Sequence, residues 1–168
     1  MGDIELYLAN ELLFFEYGRE LLYEKIVPTL EKIGYTVLEP FRENTKNYDW
    51  QYINSQKTHE EYNQALRAAD LKTGTNNVIL MDRSKIMAPI LDGSHAGGIG
   101  VGAEIGYYFS KRQPIIAVRT DFRLCENPAA KIDVQVEHFI THTPNGKLLS
   151  TNEEWYAELK KFYDSFKR

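Results

Sequence analysis

The chain has 168 residues, of which 43% are hydrophobic and 26% are charged, proportions typical of a folded domain with its own core. The net charge of −4 and the pI near 5.6 argue against a nucleic-acid-binding or membrane-binding surface, because either needs concentrated positive charge. No segment is apolar enough to span a membrane, no basic signal-peptide start is present, and Cys125 is the only cysteine. These features predict one cytoplasmic domain over residues 1–168 without a disulfide.

The first segments alternate between strand-like and helix-like patterns. DIELYLA (3–9) predicts a first strand, and the apolar spacing of 12–34 predicts a helix with a kink at Pro28 and an end at Gly34. YTVLEP (35–40) predicts a second strand.

The middle of the chain predicts a loop, a helix and a third strand. Residues 42–56 are polar and aromatic without a period, which indicates a long loop over a site. Thr58 and Glu61 form a capping-box pattern that opens a helix over 58–74, and NNVILMD (76–82) predicts a buried strand.

The last part of the chain follows the same alternation. A second long loop over 83–100 leads to a helix over 101–113, and PIIAVRTD (114–121) predicts a fourth strand. VQVEHFI (134–140) predicts a fifth strand, and 152–168 predicts an amphipathic closing helix.

Strands that alternate with helices and contain continuous apolar runs indicate an α/β fold with a parallel sheet covered on both faces. Five strands fit a doubly wound, flavodoxin-like or Rossmann-like three-layer sandwich, whose ligands bind beyond the carboxyl ends of the strands. The residues at those predicted ends are Ala9, Asn10, Glu11, Pro40, Phe41, Arg42, Asp82, Asp92, Thr120 and Asp121.

The glycine-rich run GGIGVGAEIGYYF (97–109) allows three interpretations. Gly98, Gly100 and Gly102 match the spacing of a dinucleotide-binding fingerprint, but that fingerprint must directly follow a strand, and a long loop intervenes here. The glycines could instead serve only a tight turn and close helix packing. In the third interpretation, Glu104 lies in the first turn of a helix whose free N–H groups favour its ionised form, ready to attack a sugar carbon.

The segment LDGSHAGGIGVGAEIGYYFSKRQPIIAVRTDFR (91–123) resembles the core of the nucleoside 2-deoxyribosyltransferase family. YLANELLFF (7–15) is similar to the family's first strand and turn. The resemblance implies that Glu104 is a nucleophile that forms a 2-deoxyribosyl ester as one nucleobase leaves and another attacks, with retention of configuration. It also implies that Tyr7 orients Glu104, and that Asp92 binds a sugar hydroxyl or protonates the departing base.

Gly98 stands where the transferases carry an aspartate that holds the sugar hydroxyls, and Val101 replaces their threonine. GVGAE resembles instead the related deoxynucleoside 5′-monophosphate N-glycosidases, which bind a phosphate there and usually add a serine; Ser94 lies near. Three functions therefore remain open: transfer of deoxyribose between nucleobases, hydrolysis of a deoxynucleoside 5′-monophosphate, and binding of a nucleoside or nucleotide without catalysis. On this basis we expect Gly98→Asp to be tolerated or helpful if the substrate is a nucleoside, and to lower turnover about tenfold or more if it is a 5′-monophosphate.

The predicted substrate-binding residues come from the strand ends, the glycine run and the family pattern: Asn10, Glu11, Phe41, Gly98, Gly100, Asp121 and Asn127. Phe14, Tyr48 and Trp50 are further candidates to stack on a base. The predicted partners are a nucleoside or nucleotide and a free nucleobase, with no cofactor, metal, nucleic acid or membrane. The resemblance also implies a homo-oligomer in which a neighbour's loop around 123–130, including Asn127, completes each site.

Overall fold

The computed structural model describes residues 4–93, 98–125 and 127–167. Helices and short parallel strands alternate within this part of the chain. The strands are β1 (Ile4–Tyr7), β2 (Tyr35–Leu38), β3 (Ile86–Met87), β4 (Ile116–Val118) and β5 (Lys147–Leu149). The α-helices are α1 (Glu16–Glu20), α2 (Val27–Ile33), α3 (Pro40–Asn44), α4 (Trp50–Asn54), α5 (His59–Arg83), α6 (Ile99–Ser110), α7 (Val134–Thr141) and α8 (Asn152–Phe166).

Three short segments have other helical forms. The 3-10 turns Leu12–Phe14 and Thr45–Asn47 lie in the loops, and a π-helical stretch over Leu21–Ile26 joins α1 to α2. The predicted helix over 12–34 is therefore broken at its start, and Gly34 ends it as predicted, with a φ of 121°. In the described residues, no helix has the length and apolarity needed to cross a membrane.

The strands form two parallel sheets. One sheet has the order β2-β1-β3 and the other pairs β4 with β5. Isolated parallel bridges join Met87 to Ile115 and Ile90 to Val118, so β3 and β4 run side by side between the two sheets. This is an α/β architecture, although the predicted continuous five-stranded sheet is seen as sheets of three and two strands.

Helices pack on both faces of the strands because side chains alternate along β1. Leu6 and Leu8 lie in one buried cluster, with α2 and α8, where the Trp155 indole donates to the carbonyl of Ile116 at 2.7 Å. Tyr7 lies in the other cluster, with α5, α6 and α7. The second face, which holds Tyr7, also carries α6 and its Glu104.

Two predicted strands are wrong. Residues 76–82 continue α5, because a single glycine such as Gly74 costs a helix interior only about 1 kcal/mol and does not have to end it. Residues 134–140 belong to α7, whose start is fixed by the Asp133 carboxylate accepting from the backbone of Gln135 and Val136. The third and fifth strands are instead β3 and β5.

Candidate active site

A cavity of about 580 Å³ opens beyond the carboxyl ends of β1 and β2. Its walls come from the segment after β1, from α3 and the loop after it, from α5 and from the first two turns of α6. A volume of this size falls in the range of small-molecule sites and is large enough for a nucleoside.

Glu104 of α6 lines this cavity, and Tyr7 at the end of β1 holds its carboxylate. The Tyr7 hydroxyl donates to Glu104 Oε1 at 2.6 Å, and the Asn77 amide of α5 donates to the same oxygen at 3.5 Å. Tyr7 is fully buried, so its hydroxyl is a fixed donor. The pair predicted from the sequence is therefore in contact.

The protonation of Glu104 is set by its surroundings. Burial raises the pKa of Glu104 to about 7; the hydrogen bond from Tyr7 opposes this rise, and the negative charge of Glu39 adds to it. Burial and the charge of Glu104 raise the pKa of Tyr7 far above its ordinary range, so that the phenol keeps its proton. Desolvation therefore opposes the ionised form that the sequence predicts for Glu104 near a helix N-terminus.

The start of α6 also differs from the prediction. Gly98 precedes the helix, the first helical hydrogen bond joins the Gly102 N–H to the Gly98 carbonyl at 2.9 Å, and Glu104 lies in the second turn. The amides of the first turn are thus left without helical partners, and those of Gly100 and Val101 belong to residues that line the cavity. The dinucleotide fingerprint is not supported, because β3 ends at Met87, well before α6.

Glu39 is a fully buried carboxylate next to the cavity. It accepts hydrogen bonds from the Asn10 amide at 3.1 Å, from the Tyr23 hydroxyl at 2.9 Å and from the Arg42 backbone N–H at 2.8 Å. Asn10 in turn accepts from the Leu12 N–H at 3.1 Å. This network fixes the turn after β1 to the start of α3.

A chain of amides supports the other side of Glu104. The Asn44 amide donates to Asn77 Oδ1 at 2.6 Å, while its oxygen accepts from Asn76 and Asn47, each at 2.8 Å. Because Asn77 Oδ1 is held in this way, its NH₂ group faces Glu104. Asn77 therefore positions the carboxylate from α5, whereas Tyr7 positions it from β1.

Aromatic side chains form the wide wall of the cavity. Phe14 meets Phe41 edge-on with ring centroids 5.4 Å apart, and Tyr48 stacks on Trp50 at 5.5 Å. Phe14 is 71% exposed and Trp50 is 53% exposed, so their rings are accessible from the cavity. Flat, exposed rings of this kind suit a planar heterocycle.

Most of the predicted site residues are brought together. Asn10, Glu11, Phe41 and Gly100 line the same cavity as Glu104. Gly98 stands directly against the Glu11 carboxylate. The predicted contact residues after β1, after β2 and in the glycine run thus share one site.

Asp92, Asp121 and Asn127 lie outside the lining of the cavity. The Asp92 carboxylate accepts from the Thr120 backbone and hydroxyl, both at 2.7 Å, and from the Asp121 backbone at 2.9 Å. Asp121 pairs with Arg123, whose guanidinium holds the pKa of that carboxyl well below its usual range. These contacts tie two loops together, and the catalytic or substrate-binding roles of the three residues stay predictions.

Asn127 and Asp82 make their contacts away from the cavity lining. Asn127 closes a turn, because its side chain accepts from the Ala129 N–H at 2.9 Å. Asp82 lies on α5 and accepts from the Tyr107 hydroxyl at 2.8 Å, so it is not at the end of a strand. Ser94 lies outside the described residues.

The family model for nucleoside 2-deoxyribosyltransferases matches residues 6–143. The chain belongs to this family. A search of curated proteins finds no match. Among solved structures, a conserved protein from Enterococcus faecalis V583 is similar at 21% identity and a TM-score of 0.66, over 96% of this chain and 99% of that one.

Two solved transferases share this fold. The 2-desoxiribosyltransferase from Leishmania mexicana is similar at 14% identity and a TM-score of 0.63, over 94% of this chain and 97% of that one. The 2-deoxyribosyltransferase from Bacillus psychrosaccharolyticus is similar at 16% identity and a TM-score of 0.54, over 73% of this chain and 77% of that one. Family and fold together indicate an enzyme of the deoxyribosyltransferase type.

Two residues that act on Glu104, namely Glu39 and Asn77, were not predicted from the sequence. Glu39 directly follows β2, and its place before Pro40 at a strand end was a signal that could have identified it. Asn77 offered no such signal, because it lies within the run that resembles a strand. Only the packing of α5 and α6 around β1 brings Asn77 to Glu104.

Proposed function

We propose that this protein transfers the 2-deoxyribosyl group between nucleobases through a covalent ester on Glu104. The observation that carries the proposal is the Glu104 carboxylate, held by Tyr7 at 2.6 Å on the wall of a nucleoside-sized cavity with an aromatic side. A carboxylate in this setting can attack a sugar carbon, while exposed rings bind the base.

The reaction has two balanced steps. A Glu104 oxygen bonds to C1′ as the C1′–N bond breaks, and the base leaves with that electron pair and takes up a proton. A ring nitrogen of a second base then bonds to C1′ and gives up its proton, while the ester C–O bond breaks and restores the carboxylate. Two inversions at C1′ give overall retention.

The chain's own residues serve each step. Tyr7 and Asn77 hold one Glu104 oxygen, which leaves the other free to attack. With its pKa raised to about 7, Glu104 is ionised in part at neutral pH, and the Tyr7 hydrogen bond favours the carboxylate that is released when the ester breaks. Asp92 remains our predicted sugar-hydroxyl ligand or acid for the departing base; as it stands, its oxygens are bonded to Thr120 and Asp121.

Incubation of the enzyme with thymidine and adenine tests this function. We expect deoxyadenosine and thymine to form in equal amounts, with only the β-anomer seen by proton NMR. A 2′-fluoro-2′-deoxyarabinosyl nucleoside, whose fluorine slows breakdown of the ester, is expected to add one fluorosugar mass to the peptide that contains Glu104.

The alternatives predict different products. Release of free deoxyribose 5-phosphate from a 5′-monophosphate without transfer would make the protein an N-glycosidase, with water replacing the second base. Binding of a deoxynucleoside without any cleavage would make it a silent binding protein. Either result would contradict the proposed transfer.

We also propose a homo-oligomer whose sites are completed by a neighbouring subunit. Ile99 at the start of α6 is 96% exposed and Phe122 is 92% exposed, and both are large apolar side chains of the kind that subunit interfaces cover. Sedimentation velocity at micromolar concentration is expected to show an oligomer. A monomer with full activity would contradict this proposal.

A further inference from the structure

The Glu11 carboxylate lies where a side chain at position 98 would begin. Gly98 has a φ of 66° and no side chain, and a Cβ built on it would lie 1.5 Å from Glu11 Oε1 and 2.1 Å from the Glu11 carboxyl carbon. Glycine at 98 therefore makes room for the carboxylate. An aspartate at position 98 would need both a strained backbone and a displaced Glu11, which argues against the expected tolerance of Gly98→Asp.

Glu11 and Glu104 lie along the same cavity wall. Both line the cavity together with Gly100 and Val101, and Gly98, which touches Glu11, is six residues before Glu104. Six helical residues rise by about 9 Å, so one carboxylate lies near the first turn of α6 and the other near its second. A furanose ring that presents C1′ to Glu104 can therefore direct its hydroxyls toward Glu11.

The other carboxylates near this end have their oxygens bonded within the protein. Glu39 accepts three hydrogen bonds from Asn10, Tyr23 and the Arg42 backbone, and Asp92 accepts three from residues 120 and 121. Glu11 is partly exposed and lines the cavity. A carboxylate is an acceptor only, so it matches hydroxyl donors and repels a phosphate.

Among the described residues that line the cavity, Arg19 is the one that carries a positive charge. Its charge acts on the Tyr23 hydroxyl, which donates to the buried Glu39 at 2.9 Å. Arg19 therefore lies toward the Tyr23 side of the cavity. Among the described lining residues, no second cation compensates the charge of Glu11 at the α6 side.

We propose that Glu11 determines substrate class at this site: its carboxylate binds the free hydroxyls of a deoxynucleoside and excludes the 5′-monophosphate. This proposal rests on the proposed function, which supplies the reaction. The specificity is inferred from the contact between Glu11 and Gly98. The carboxylate thus comes from the turn after β1 and occupies the space that a side chain at position 98 would fill.

Glu11→Gln tests the proposal, because it keeps the shape of the side chain and removes its charge. We expect the preference of the wild-type enzyme for thymidine over thymidine 5′-monophosphate, measured as the ratio of kcat/KM values, to fall at least about tenfold. Glu11→Asp keeps the charge and is expected to retain most of the preference. Glu20→Gln, an exposed residue of α1 outside the cavity lining, is the matched control and should leave the ratio unchanged.

Binding separates this proposal from the proposed function. The same two ligands are titrated by calorimetry against Glu104→Gln with and without Glu11→Gln. If adding Glu11→Gln removes the difference in affinity between the two ligands, the role of Glu11 is supported. This holds even if the wild-type protein cleaves neither ligand; such an absence of cleavage would overturn only the proposed transfer. A ratio that stays within about twofold in Glu11→Gln, or a wild-type protein that prefers the monophosphate, would overturn the role of Glu11.

Discussion

Glu104→Gln is expected to lower deoxyribosyl transfer by at least about a thousandfold, because the amide cannot form the ester that links the two steps. Its shape is preserved, so the Tyr7 hydroxyl keeps an oxygen to bond and the cavity keeps its form. The measurement is the initial rate of base exchange by chromatography. Glu20→Gln serves as the control for loss of an acidic side chain outside the cavity lining, and its rate should match the wild type.

The same variant has a pH-dependent effect on stability whose sign follows from the raised pKa. Folded Glu104, with a pKa of about 7, holds its proton more tightly than the unfolded residue, whose pKa is near 4.5. Its contribution to stability is therefore fully present below about pH 4.5 and is lost as the pH rises through 7.

A glutamine at position 104 does not ionise, so the Glu104→Gln variant does not lose this stability as the pH rises. The variant is thus expected to be more stable than the wild type at about pH 8, by an amount on the order of 3 kcal/mol, and equally stable at about pH 4. Thermal unfolding at the two pH values measures this difference. If the variant exchanged bases at the wild-type rate, Glu104 would not be the nucleophile. If the stability difference were the same at both pH values, the pKa of Glu104 would not be raised.

The sequence could predict the parts of the site that lie near one another along the chain. The turn after β1 carries Asn10 and Glu11, and the entry to α6 carries Gly100 and Glu104; local patterns sufficed to identify both segments. The capping box of Thr58 and Glu61 is present at the start of α5 as predicted. Such a box depends on hydrogen bonds over three residues, which a sequence displays directly.

The errors in the fold came from apolar runs whose period is ambiguous. Residues 76–82 include Leu80 and Met81, which are buried, and Val78 and Ile79, which are 39% and 50% exposed, as one helical turn requires. A strand and a buried helix segment look alike over so few residues. The true third strand, β3, has only two residues and therefore almost no pattern of its own.

The contacts that give the site its chemistry join distant parts of the chain. Glu11 meets Gly98, and Asn77 meets Glu104, only after β1, α5 and α6 pack together. The pKa of Glu104 depends on that packing as well, because burial and Glu39 raise it. The sequence could name a carboxylate at this place, but its protonation is a property of the folded cavity.

Tyr7→Phe is expected to shift the acid limb of the pH–rate profile upward. The hydrogen bond from Tyr7 stabilises the Glu104 carboxylate, so its loss raises a pKa that is already about 7. Hydrogen bonds to charged groups contribute roughly 1.5 kcal/mol or more, which corresponds to about one pH unit. The log of kcat/KM for thymidine and adenine, measured from about pH 5.5 to 9.5, reports the pKa of the free enzyme.

The expected loss in Tyr7→Phe is therefore about tenfold greater near pH 6 than near pH 9, where the carboxyl of both proteins is ionised. Tyr35→Phe is the matched control, because it also removes a buried hydroxyl from a strand, one that donates to the Leu159 carbonyl at 2.7 Å, away from the cavity. It should lower stability and leave the acid limb in place. An equal loss at every pH in Tyr7→Phe would mean that the tyrosine supports the fold without tuning Glu104, and that the reaction does not depend on ionisation of this carboxyl near neutral pH.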